Sequence, residues 1–103
     1  MSVVYKYPVE PADVVAGLGR FSLILPQGAR VVLVGMQRGH MHLWAIVDPE
    51  ASSVRREFQL CGTGHTIDHE VVHLGSFMQN DGAFVWRLFE HGLSKTGDGG
   101  SVP

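Results

Sequence analysis

The histidines of this 103-residue chain have the greatest capacity for chemistry, and their spacing limits what they could do. His65, His69 and His73 recur every four residues, and on a helix neighbouring imidazoles at that spacing share a face and could bind a metal ion. The context favours a strand instead, because glycines precede the segment and residues 71–74 are rich in β-formers. On a strand, His65 and His73 would lie roughly 26 Å apart. We therefore predict no metal site, and no cofactor of any kind.

His40 and His42 are two residues apart and would share one face of a strand. Two imidazoles at that spacing can hold a metal ion, but a structural zinc site normally needs four ligands. Nothing in the sequence places Glu57 or His91 beside them. We interpret the pair as polar residues where a hairpin meets water, and we predict that equimolar zinc leaves the melting temperature unchanged.

The remaining residue types that could do chemistry do not form a recognisable constellation. Cys61 is the only cysteine, which excludes an internal disulfide, and we interpret it as a small buried side chain at a strand end. Residues 62–65 read Gly-Thr-Gly-His and lack the lysine and the following helix of a phosphate loop. Asp48 and Glu50 flank a proline in a turn sequence, and no serine lies in a nucleophile elbow. We therefore expect that the protein is not an enzyme.

The amino-acid composition limits the partners and the location that we expect for the protein. The net charge is −2 and the only basic cluster is Arg55-Arg56, which argues against nucleic acid as a partner. No apolar run approaches 18 residues and no signal peptide is evident, so we expect no membrane association and a cytoplasmic location. Charged residues are only 17%, below the roughly 25% of an ordinary domain. Such a chain often covers apolar surface with a partner, and a homo-oligomer is one arrangement that the composition allows.

Two hairpin sequences organise the chain. One turn lies at residues 37–40 and the other at residues 80–82, each between apolar strands. Two-residue loops at 38–39 and 81–82 predict the following opposed pairs: Leu33 with Trp44, Val34 with Leu43, Phe77 with Trp86, Met78 with Val85, and Leu74 with Phe89. In the first hairpin, Val32 would lie on the same apolar face as Val34, and Val31 would lie on the opposite face with Leu33. A strand pair that is apolar on both faces is typical of the middle of a packed structure, so we expect Trp44 in a dry interior.

The rest of the chain completes an all-β pattern. Residues 3–7 predict an edge strand that ends before Pro8, and residues 20–25 predict a strand followed by a turn with Pro26 at its second position. Residues 55–61 predict a further strand, and residues 12–17 allow one short helical turn. Residues 1–91 should form a single domain, and residues 92–103 a disordered Gly/Ser-rich tail. The predicted fold is a small antiparallel β-sandwich or partly open barrel of six or seven strands.

Several phrases, taken in order, resemble an uncharacterised family of small proteins from bacteria and their phages. They are YKYP at residues 5–8, LPQGA at 25–29, LWAIVDPE at 43–50, GTGH at 62–65, HLGSF at 73–77 and FVWRLFE at 84–90. The family is a domain of unknown function, so the resemblance implies a phage or prophage setting and supplies no activity or catalytic residues. The chain departs from the family's pattern at residues 9–20, which are longer than usual, and after His91.

These observations lead us to expect a non-enzymatic phage or prophage accessory protein that binds another protein, such as a component of host defence. The alternatives are a small-ligand binding module, with a pocket near His42, Trp44 and residues 62–65, and a virion or structural component. Arg55 and Arg56 are expected in exposed turns. The residues we select for a binding surface are Arg38, His40, His42, Trp44, Gly62, Thr63, Gly64 and His65.

Overall fold

Seven strands form two antiparallel sheets. A computed structural model describes residues 1–10, 19–67 and 70–92. The strands are β1 (Val3–Val9), β2 (Arg20–Pro26), β3 (Arg30–Gln37), β4 (His40–Val47), β5 (Ser53–Gly62), β6 (Val71–Gln79) and β7 (Phe84–His91). The first sheet has the order β1-β4-β3 and the second sheet the order β2-β5-β7-β6. Over the described residues there is neither a helix nor a closed barrel, and the predicted small β-sandwich is confirmed. The helical turn predicted at 12–17 and the tail beyond Gly92 lie outside the described residues.

Both tight turns form at the predicted positions, although the second loop spans residues 80–83, because Asn80 also has a positive φ of 56°. Arg38 and Gly39 have φ angles of 52° and 80°, and Asp81 and Gly82 have φ angles of 55° and 88°. Positive φ at both central residues defines the type I′ turn, whose twist matches that of the flanking strands. The observed register confirms four of the predicted pairs: Leu33 with Trp44, Val34 with Leu43, Phe77 with Trp86, and Met78 with Val85.

A β-bulge in β3 reverses two predicted side-chain directions. The register shifts between Val31 and Leu33, so that Val31 pairs with Ala45 on the core side. Val31 packs against the core, whereas Val32 is 45% exposed. The predicted faces of these two valines are therefore wrong, because a bulge inserts one residue and inverts the alternation beyond it.

A second irregularity, in β6, changes the pairing at the far end of the other hairpin. The register shifts between His73 and Gly75, and His73 rather than Leu74 pairs with Phe89. The predicted pairing of Leu74 with Phe89 is wrong for the same reason, since two residues of β6 occupy the space of one.

Two prolines lie differently from the prediction. Strand β1 continues through Pro8, which pairs with His42; an edge strand tolerates the missing N–H, because only one of its sides is in the ladder. After β2, the Ala29 N–H donates to the Pro26 carbonyl at 3.1 Å, so Pro26 is the first residue of the turn and not the second. Gly28 supplies the positive φ of 83° at the third position.

The core lies between the two sheets. Its fully buried apolar side chains come from both sheets and include Leu25, Leu43, Val47, Phe58 and Leu88. The sheets pack tightly where Gly75 of β6 faces Val34 of β3, since a Cβ at Gly75 would lie 2.7 Å from Val34 Cγ1.

One ion pair lies inside this core. Arg56 of β5 donates to both carboxylate oxygens of Glu90 of β7, which is 1% exposed, and also to the Ala29 carbonyl at 2.6 Å. The strand predicted over residues 55–61 is confirmed within β5, so the expectation of turns at Arg55 and Arg56 is wrong, and only Arg55 is exposed. Arg55 is on the opposite face, where it forms an exposed pair with Glu57 at 3.0 Å.

Candidate functional site

The outer face of the first sheet is the side turned away from the second sheet. Directly paired residues share a face, and three rows cross the strands on this side. The rows are Val4–Ile46–Arg30, Lys6–Trp44–Leu33 and Pro8–His42–Gly35. Val4 is 60% exposed and Leu33 is 56% exposed. The expectation of a dry environment for Trp44 is wrong, because only the opposite face of β4, with Leu43 and Ala45, meets the core.

Polar groups on this outer face are held by specific hydrogen bonds. Lys6 Nζ donates to Gln37 Oε1 at 2.7 Å, which links β1 to β3 across the intervening β4. His42 Nδ1 lies 3.0 Å from the His40 carbonyl, which can only accept, so Nδ1 carries the proton and Nε2 is the acceptor of the neutral ring. The rings of His42 and Trp44 are 5.8 Å apart.

The charge on this face is of one sign. Lys6 and Arg30 lie in its rows, and Arg38 lies at the adjoining hairpin turn. Strands β1, β3 and β4 contain no aspartate or glutamate. The face therefore combines exposed apolar side chains with cationic ones, although the whole chain has a net charge of −2.

A cavity opens between the sheets at the end of the sandwich near the β3–β4 turn, and we call it the end cleft. Its volume is about 230 Å³. Polar groups of Glu10, His40 and Gln79 border it. The apolar lining comes from both sheets and consists of Val9, Met36, Met41, Leu60, Phe77 and Trp86.

One hydrogen bond fixes the polar wall of the end cleft. Trp86 Nε1 donates to Gln79 Oε1 at 3.0 Å. The indole nitrogen is a donor only, so the amide atom that it contacts must be the oxygen. Within residues 1–10, 19–67 and 70–92, the Gln79 Nε2 group has no acceptor, and its two N–H donors are available.

A second cavity, the aromatic groove, lies on the other side of Trp86. It has a volume of about 350 Å³ and is lined by Gly62, Thr63, His65, Ala83, Phe84, Val85 and Trp86. The ring of Phe84 stacks on Trp86 at 6.2 Å, and the ring of His65 meets Trp86 edge-on at the same distance. The Gly62 N–H donates to His65 Nδ1 at 3.1 Å, and this bond requires that Nδ1 carries no proton.

The residues selected from the sequence divide between these places. His42 and Trp44 lie on the outer face, and Arg38 and His40 lie at the adjacent turn, with His40 also bordering the end cleft. Gly62, Thr63 and His65 line the aromatic groove, and Gly64 forms its turn with a φ of 90°. The structure does not join the two groups into one pocket, because neither His42 nor Trp44 lines the end cleft or the groove.

Several lining residues were missed by the sequence reasoning: Met36, Met41, Phe77, Gln79, Phe84 and Trp86. The predicted pairing of Phe77 with Trp86 was the one sequence signal that pointed to any of these residues. It did not identify a cavity, because the pairing within one sheet does not reveal which residues of the other sheet lie opposite.

Three further residues that could bind a metal ion are His69, His73 and Cys61. In the part of the chain that the structure describes, no three His, Cys, Asp or Glu side chains come together as a metal site would require. His73 lies on β6, where Nε2 is 3.1 Å from Ser76 Oγ, and His69 is outside the described residues. Cys61 is buried, and this burial raises the pKa of its thiol.

Comparison with known proteins identifies the family. The model of a family described as Domain of unknown function (DUF7352) matches residues 1–97. The chain belongs to this family. No curated protein and no solved structure matches the chain. The described residues contain no helix that could span a membrane.

Proposed function

We propose that this protein is a non-enzymatic accessory protein that binds another protein through the outer face of its first sheet. The observation that carries the proposal is that the exposed side chains of Val4 on β1 and Leu33 on β3 flank the half-buried Trp44 and Ile46 of β4 on this face. Contiguous exposed apolar surface is uncommon on monomeric proteins and marks interaction sites, and tryptophan and arginine are enriched among residues that dominate binding energy.

The charge of this face indicates the chemistry of the partner. Because Lys6, Arg30 and Arg38 meet no carboxylate from β1, β3 or β4, a complementary surface would present apolar side chains flanked by aspartate or glutamate. The resemblance of residues 5–90 to small proteins of bacteria and their phages supports an accessory role in a phage or prophage, with a host protein as the target.

Capture from a host lysate with matched variants tests this function. We compare the wild type with a Val4→Ser/Leu33→Ser variant and with an Ile24→Ser control. Ile24 is 60% exposed, as Val4 is, but lies on the outer side of the second sheet. We expect a partner that the wild type and the control retain and that the double variant loses, with affinity that falls as salt rises. A captured protein that all three retain equally, or no captured protein, would contradict the proposal.

Two other functions have different consequences. A small-ligand binding module is supported by the end cleft. A virion or structural component would form a defined higher oligomer, which light scattering on the purified chain would detect. The Val4→Ser/Leu33→Ser variant would disrupt an oligomer that forms through the outer face of the first sheet, and it would leave an oligomer that forms through another surface intact.

A further inference from the structure

We propose that the end cleft is a binding site for a small planar aromatic molecule that carries a hydrogen-bond acceptor. This site is separate from the outer face of the first sheet, and the inference does not depend on the protein-binding function.

The volume of the cleft sets the size of the ligand. An apolar cavity of about 150 Å³ can hold benzene. At about 230 Å³, the end cleft has room for a fused two-ring molecule with about ten non-hydrogen atoms. It is smaller than the pockets of roughly 300–1,000 Å³ that bind drug-sized molecules.

The lining sets the character of the ligand. Met36 and Met41 contribute thioethers from the first sheet, and Phe77 and Trp86 contribute rings from the second. Thioether sulfur and aromatic edges both make favourable contacts with a flat ring, and methionine adapts its shape to what it contacts. The ionisable groups that border the cleft, Glu10 and His40, are both exposed. An uncharged aromatic molecule therefore suits the lining better than an ion does.

Gln79 determines the polar group of the ligand. Its Oε1 atom accepts from the Trp86 indole, and this bond leaves the Nε2 group as the part of the amide without a partner among the described residues. A carbonyl oxygen or an unprotonated ring nitrogen of a ligand would accept from Nε2. The Trp86–Gln79 hydrogen bond thus orients the amide before any ligand arrives.

A matched pair of probes tests the site on the full chain. 1-Indanone and indane share a flat two-ring skeleton, and only 1-indanone has a carbonyl acceptor. We expect both to shift the indole N–H signal of Trp86 in a ¹H–¹⁵N NMR titration. 1-Indanone should bind about three- to tenfold more tightly, the effect of one net hydrogen bond. The signal of Trp44, which lies on the outer face of the first sheet, should not move.

Gln79→Glu is the decisive variant. It keeps an acceptor for the Trp86 indole and removes both N–H donors, so the ratio of the two affinities should fall to one or below. Gln79→Met removes the same donors without adding charge and should give the same result if the glutamate variant is unstable. Ile24→Ser should leave both affinities unchanged. The proposal is overturned if neither probe shifts Trp86, if Trp44 shifts equally, or if Gln79→Glu or Gln79→Met retains the wild-type ratio.

Discussion

Arg56 and Glu90 form a bidentate ion pair inside the sandwich, with N–O distances of 2.6 and 2.7 Å, although they are 34 positions apart in the chain. The third hydrogen bond of the guanidinium, to the Ala29 carbonyl, extends the pair to the turn between β2 and β3. This turn connects the second sheet to the first. One arginine therefore links β5, β7 and the chain segment that passes between the sheets.

Breaking this pair should be strongly destabilising. Glu90→Gln leaves the Arg56 charge largely buried without its counter-charge, and we expect a loss of about 3–5 kcal/mol in the free energy of unfolding. Urea denaturation would measure it. The matched control is Glu57→Gln, which makes the same chemical change in the exposed pair with Arg55 and should cost about 0–1 kcal/mol.

The double variant Arg56→Met/Glu90→Leu separates the pair's net contribution from the penalty of an orphaned charge. Because it removes both charges, it should be more stable than Glu90→Gln. Equal losses for Glu90→Gln and Glu57→Gln would show that Glu90 is not buried as the structure describes.

The sequence predicted those parts of the fold that depend on residues close together in the chain, and it failed where the interacting residues are far apart in the chain. The type I′ turns at Arg38-Gly39 and Asp81-Gly82 are specified by residues that are neighbours in the chain, and the pairs beside them followed correctly. The bulges farther along β3 and β6 were not predicted, because the neighbouring residues in the chain gave no signal for the extra residue that each bulge inserts. Arg56 was misplaced for a related reason: its partner Glu90 lies on another strand, and a charged residue without a visible partner is normally assigned to the surface.

Gly75 should be required for the close approach of the sheets. The Cβ of Gly75→Ala would lie 2.7 Å from Val34 Cγ1, and we expect a loss of about 1–3 kcal/mol from overpacking. Thermal unfolding followed by circular dichroism would detect this loss as a lower Tm.

Two further variants check that the clash is the cause. Gly35 is also in a strand of the sandwich, but a Cβ there meets nothing within 4 Å, so Gly35→Ala should not lower the Tm. Combining Gly75→Ala with Val34→Ala removes the clashing methyl group and should cost less than the sum of the two single changes. A Gly75→Ala protein as stable as the wild type would contradict the close packing of β6 on β3.

Cys61 should make stability depend on alkaline pH. Burial raises the pKa of the folded thiol above its ordinary value of 9.0, so the unfolded chain loses its thiol proton first as the pH rises. The contribution of this group is fully present below the unfolded pKa and is lost as the pH rises through the folded pKa. Compared with Cys61→Ala under reducing conditions, the wild type should lose more unfolding free energy between pH 8 and pH 10. Parallel pH profiles would show that the thiol is not desolvated.

The candidate site was less predictable than the fold. The sequence analysis grouped His42 and Trp44 with residues 62–65 because all were expected at one open end of the sheet. The structure separates them, because His42 and Trp44 lie on the outer face of the first sheet, whereas Gly62, Thr63 and His65 line the aromatic groove. Which face of a strand meets the core determines which of its side chains can share a cavity with the other sheet. In this chain that face follows from long-range pairings, such as β1 with β4, that no local signal specifies.

A substitution at Arg38 should have opposite effects on the stability of the β3–β4 turn and on binding by the outer face of the first sheet. It adopts a φ of 52°, in the left-handed region that asparagine and glycine tolerate better than other residues. Arg38→Asn should therefore raise the free energy of unfolding, by up to about 1 kcal/mol, while it removes one cationic side chain beside the outer face of the first sheet. If that face binds an acidic partner, the same variant should bind more weakly and show a smaller salt dependence, although it is the more stable protein. Denaturation and titration of the captured partner would measure the two effects separately. A variant that lost stability would refute the turn assignment, and one that bound as the wild type does would exclude Arg38 from the interface.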